Sequence, residues 1–279
     1  MLTSLEKGML VRAALVLAML VPHAWAVAET LVIPGSGSPE HVLKVLAEAF
    51  NRAQSAHQVN VPPSIGTAGA LRDVESGAAI LGRVGRPLKA DERAKGLVYL
   101  PIGRDPVVFV GGAGVNVKSM SQAQIVDAYN GKLTNWRELG GKPGPIRAIG
   151  RESTDASRQS INRVIKPFDG IRYGDDVKLV HLDPQMIELL DRYATGLGFI
   201  NRSALAACKT TVVPIALDGV DGLPQNVALG RYPLWLEFGL IHKSGPLSPA
   251  ARAFVAFTRS SLGLGLLREH GVMAVADPL

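Results

Sequence analysis

The residues best suited to chemistry concentrate in one stretch, Gly150-Arg151-Glu152-Ser153-Thr154-Asp155-Ala156-Ser157-Arg158. It lies between an apolar run at 145–149 and a helix-like run at 159–165. A strand that ends in an arginine and turns through hydroxyl and acidic residues into a helix sets a fixed cation beside unpaired backbone N–H groups. That is the makings of an anion site. The same pattern fits an ordinary capped helix with a surface arginine, but two similar turns elsewhere in the chain shift the balance. Gly35-Ser36-Gly37-Ser38 follows the β-rich run 30–33, with Ser38 placed as N-cap and Pro39 at the first helical position. Gly66-Thr67-Ala68-Gly69 follows the run 58–61, with Thr67 as N-cap. Each helix start carries about half a positive charge, and glycine lets a backbone approach an anion closely. A dinucleotide fingerprint is a poor fit at Gly35-x-Gly37, because Glu40 replaces the third glycine.

Other chemistries find less support. His41, His57, His181 and His242 lack metal-ligand spacing, and there is no Gly-x-Ser-x-Gly elbow or Walker lysine. No catalytic residue, metal or cofactor is therefore expected, and an exported hydrolase would need a site assembled only in space. The single Cys208 cannot form an internal disulfide and reads as a small buried apolar residue. The chain has 279 residues and a formal charge of +6, which favours anionic partners. Its cations are dispersed and its aromatics amount to 5%, too few for the stacking platforms of nucleic-acid binding.

The elements that must position these turns alternate between strand and helix, which argues for α/β sheets with mainly parallel strands and a ligand at their carboxyl ends. Strands are expected at 97–102, 106–110, 146–149, 177–182, 196–200 and 210–217, with a long apolar strand late, at 232–242. Asp183-Pro184 opens a helix through Arg192, and Ser121 caps another. Trp136 reads as a core anchor. Arg83 and Arg86, at a strand end flanked by glycines, could face a ligand or simply be solvated. At the start, Lys7 and Arg12 precede an apolar run at 13–21 and small-x-small patterns near Ala26 and Ala28, so residues 1–28 read as an export signal directing the chain to the periplasm.

Taken in order, Gly35-Ser36-Gly37-Ser38, Ile65-Gly66-Thr67-Ala68-Gly69-Ala70, Gly85-Arg86-Pro87-Leu88, Tyr129-Asn130-Gly131-Lys132, Asn135-Trp136, Arg151-x-x-x-Asp155-x-Ser157 and Gly196-Leu197-Gly198-Phe199-Ile200 resemble the periplasmic phosphate-binding proteins of ABC importers. The resemblance covers nearly all of the chain after the leader. It implies a two-lobed periplasmic binding protein fold with two crossing hinge strands, near 106–116 and 232–242. The lobes would be 29–107 plus 240–279 and 108–239. It also implies capture of phosphate or a related oxyanion by a monomer that delivers it to ABC importer membrane subunits, with no catalysis and no nucleic-acid partner.

The site carried over is Ser36, Gly37, Ser38, Thr67, Ala68, Gly69, Arg86, Arg151, Asp155, Ala156 and Ser157. Two departures matter. Gly85 stands where the family places an aspartate, and Asp155, Ala156 and Ser157 stand where it has serine, glycine and threonine. A buried carboxylate can accept the proton of hydrogen phosphate and repel sulfate, which has none. Asp155 could take that part, or could merely cap its own helix and pair with Arg158. A sensory or scaffold protein of the same fold, binding another anion or none, is the competing reading.

Overall fold

The computed structural model describes residues 28–275, so all but the last residue of the expected leader lies outside the described part. The strands Glu29–Val32 and His57–Asn60 pair in parallel around the opening helix Glu40–Ala53. That helix forms because Val42, Leu43, Leu46, Ala47, Ala49 and Phe50 recur at helical spacing, and all six are buried. Phe50 meets Phe254 and Phe257 edge-on at 5.5 Å, which brings the late helix Pro249–Thr258 back against the start of the chain.

The feature that organises the molecule is Leu97–Gly111, one strand of 15 residues. The sequence predicts two strands here, and the structure joins them through Pro101 and Pro106. Each proline withdraws a single donor, and the surrounding ladder continues past it. Up to Pro106 the strand runs antiparallel to Trp235–Lys243, with Pro106 opposite Trp235 and Lys243 opposite Leu97. From Val107 onward it pairs instead with Gly196–Asn201 and Val213–Leu217. It therefore passes from one lobe into the other, and Trp235–Lys243, which also pairs with Gly82–Val84, is the second crossing.

Within each lobe the strand–helix units are parallel. Arg147–Arg151 lies between Lys178–Val180 and Gly196–Asn201, and Ser119–Met120 pairs with Val213–Leu217. Along the crossing strands the pairing is antiparallel, which corrects the expectation of a mainly parallel sheet. Chain running to and fro between lobes needs no crossover helix, so nothing enforces parallel pairing there.

The second lobe is built on aromatics. Tyr129 packs against Phe168 and Phe199 at centroid distances of 5.1 and 6.0 Å, and its hydroxyl donates to the Ile149 carbonyl at 3.0 Å. Trp136, 2% exposed, anchors the core as expected, with Nε1 donating to the Thr195 carbonyl at 2.9 Å. Among the described residues no helix is long and apolar enough to cross a membrane.

Candidate functional site

Arg151 ends its strand at the floor of a cleft of about 810 Å³ lined by both lobes. Its backbone is fixed first. The Arg151 carbonyl accepts hydrogen bonds from the Tyr173 hydroxyl at 3.1 Å and from Arg158 Nη1 at 2.9 Å, and Arg158 also donates to the Tyr173 oxygen at 2.6 Å. Gly150 is required beneath this arrangement, since a Cβ there would lie 2.7 Å from the Tyr173 ring. Arg151 is 2% exposed. Nη2 donates to Asp183, Nη1 stands 3.9 Å from Asp155, and neither Nε nor Nη1 has a hydrogen-bond partner among the described residues. Buried guanidinium N–H groups without acceptors are costly, and an anion in the cleft would satisfy them.

Asp183 is the residue that sequence reasoning missed. It lies three residues beyond Val180, which stands opposite Arg151 in the parallel ladder, so the fold delivers it to the arginine. Burial pushes its carboxyl up to about 6, and the neighbouring Arg151 opposes that rise. Asp155 caps its own helix, accepting from the Arg158 backbone N–H at 2.9 Å. Of the alternative in which Asp155 caps its own helix and pairs with Arg158, the cap is present and the ion pair is not, because the Arg158 guanidinium turns to Tyr173 and the Arg151 carbonyl.

The first turn is held by Arg83. Fully buried, it donates to the carbonyls of Ser36 at 2.8 Å, Ile33 at 2.5 Å and Pro62 at 2.8 Å, and to Glu40 at 3.1 Å. It neither faces a ligand nor lies in solvent. Gly35 has φ +143°, and a Cβ on it would meet the Arg83 carbonyl at 2.0 Å, so the turn admits only glycine. Ser38 is not the N-cap. Its helix starts at Glu40 with Pro39 at the cap position and no side-chain cap bond. The second helix starts at Gly66, and Thr67, also not a cap, accepts instead from the Gly85 N–H at 3.5 Å. In both turns tertiary bonds replace the local cap.

Of the residues carried over from sequence, Ser36, Gly37, Ser38, Thr67, Ala68, Arg86, Arg151, Asp155 and Ala156 line the cleft. Gly69 and Ser157 do not. Gly69 faces the Ile65 side chain, and Ser157 is buried with its hydroxyl donating to Asn201 Oδ1 at 2.8 Å. Asn201 in turn donates from Nδ2 to the Ser38 carbonyl at 3.3 Å, a link across the lobes. Arg86 lines the cleft, but its guanidinium is bound to both oxygens of Glu92, at 2.8 and 2.6 Å. That pairing holds the Glu92 carboxyl down at about 2. Cys208, expected in the core, is exposed at the cleft wall.

The Bacillus subtilis phosphate-binding protein PstS is 25% identical over 260 residues, 89% of this chain and 81% of that one. A Clostridium perfringens structure of a phosphate ABC transporter substrate-binding protein with bound phosphate has a TM-score of 0.77 at 24% identity, over 88% of this chain and 100% of that one. An ABC-type phosphate transport receptor from Vibrio cholerae gives 0.66 at 23%, over 87% and 99%. At these identities the structural likeness speaks for the two-lobed fold. A family model, the PBP superfamily domain, matches residues 21–261. The chain belongs to the PBP superfamily.

Proposed function

We propose that this protein is an extracytoplasmic solute-binding protein that captures phosphate or a related tetrahedral oxyanion in its cleft for ABC-type import, with no catalysis of its own. The observation that carries the reading is Arg151, whose buried guanidinium keeps Nε and Nη1 unpartnered where both lobes meet. The turns at Ser36–Ser38 and Thr67–Ala68 and the helix start at Ala156 line the same cleft and bring hydroxyls and backbone donors to it, which supports the reading. Gly69 and Ser157 act from behind, Ser157 by holding Asn201. The proteins it resembles carry phosphate-binding names, which supports the choice of anion.

In this reading residues 1–28 direct export to the periplasm and the protein works as a monomer on importer membrane subunits. The lobes comprise 29–107 plus 240–279 and 108–239. Titration of the purified protein with phosphate, arsenate, sulfate and molybdate tests the reading. Phosphate at about 100 times its dissociation constant should stabilise the fold by about 2.7 kcal/mol, and Arg151→Ala should abolish the effect. A second reading, a sensory protein taking a different anion or none, draws on Asp183 and Asp155, which set two carboxylates beside the one buried cation. No response to any oxyanion would favour it.

A further inference from the structure

We propose that the cleft takes an organic phosphoryl compound, a phosphate monoester with a short, largely apolar substituent, whose head sits at Arg151. The inference rests on the oxyanion reading and extends it to the rest of the space. The lobes already touch. Asn201 Nδ2 donates to the Ser38 carbonyl at 3.3 Å, and the Leu182 side chain lies 3.2 Å from where a Cβ on Gly37 would stand. Helix Arg202–Ala207 of the second lobe packs on the opening helix Glu40–Ala53.

About 810 Å³ nonetheless remains. A bare tetrahedral oxyanion needs roughly the share of two or three waters, about 30 Å³ each. The cleft falls instead in the roughly 300–1,000 Å³ range of pockets for organic ligands.

The surplus space has a wall of definite chemistry that starts beside the anion cage. Asp183, which holds Arg151, opens the helix Asp183–Arg192, and Pro184 and Ile187 of its first turns face the same cleft. Asn201, which bridges the lobes, is followed directly by the helix whose Ala204 and Ala207, with Cys208 just after it, line the cleft at the i, i+3, i+4 spacing of one face. These small, uncharged side chains leave room and offer no donor to a second anion. Of the two ammonium groups that line the cleft, those of Lys44 and Lys89, that of Lys44 is engaged by Glu40 at 2.6 Å. A carbon substituent extending from the phosphoryl group fits that wall, and each methylene it covers is worth about a fourfold gain in affinity.

Calorimetry with inorganic phosphate, methyl phosphate and propyl phosphate tests this on the wild type and on Ala207→Trp, which fills the wall from an exposed position. Affinity should rise along the series, and Ala207→Trp should remove the rise while leaving inorganic phosphate within about twofold. Tight binding of inorganic phosphate with affinity falling along the series would overturn the inference and leave the oxyanion reading intact. So would an Ala207→Trp protein that weakens all three alike. If none of the three binds, the inference fails together with the choice of phosphate as the anion.

Discussion

Asp183 determines how much positive charge the site presents. Its carboxyl, raised to about 6 by burial, is ionised at neutral pH and matches the charge of Arg151. Below that pH it is protonated, Asp155 at 3.9 Å is left as the carboxylate beside the guanidinium, and an O–H donor faces the cleft. Sulfate has no proton to share with a carboxylate, so its binding should strengthen as pH falls from 8 to 5, by up to about tenfold for each unit by which binding raises that carboxyl. Asp183→Asn should bind sulfate more tightly at pH 8 and lose the pH dependence. Calorimetry at the two pH values decides, and sulfate affinity equal at both would show that this carboxylate does not meet the ligand. Arg151 was legible in the sequence because a strand-ending arginine before a small-residue turn is a local pattern. Asp183 was not, since Asp-Pro at a helix start is an ordinary opening and only the pairing of Arg151 opposite Val180 brings the two together.

At the level of elements, the three turns were readable from their glycines and hydroxyls, and their roles were misjudged in a consistent way. Ser38 and Thr67 look like N-caps because local sequence offers nothing better, yet both are outcompeted by bonds from distant chain. Gly85 reaches Thr67, and Arg83 with its four acceptors fixes the first turn. A buried arginine cannot be recognised as such from sequence, since the type is mostly exposed. Arg83→Met removes the donor to three carbonyls and leaves Glu40 with Lys44 as its remaining partner. The expected cost is about 3–5 kcal/mol in urea unfolding, together with loss of oxyanion binding. Arg83→Lys should rescue little of either, because an ammonium cannot span acceptors arrayed around a planar guanidinium. Gly35→Ala should fail in the same two measurements, given the 2.0 Å approach to the Arg83 carbonyl. Should either Arg83 variant unfold like wild type, the turn would have to be held by other means.

For the molecule as a whole, the alternation of elements made α/β sheets legible, and the resemblance to the phosphate-binding family implied the two lobes with crossing strands. The unbroken course of Leu97–Gly111 was hidden by its two prolines. That course places Trp235 where motion between the lobes should be felt. Two guanidinium groups lie over its ring, that of Arg104 of the long strand at 4.3 Å and that of Arg163 at 5.0 Å. Its carbonyl accepts from Ser160 at 2.5 Å and from Arg163 at 2.8 Å. Ser160 and Arg163 belong to helix Ala156–Val164, whose first residue lines the cleft. An anion drawn onto that helix start pulls on the same rigid body that carries Arg163 over the indole, and a displaced guanidinium changes the field on the ring.

Of the other tryptophans, Trp136 is sealed within its lobe and Trp25 falls in the expected leader. Phosphate should therefore change the intrinsic fluorescence. Trp235→Phe should abolish the change without abolishing calorimetric binding, and Trp136→Phe should preserve it. A spectrum unmoved at saturating phosphate, with heat of binding still measured, would mean that capture leaves the crossing strands where they are.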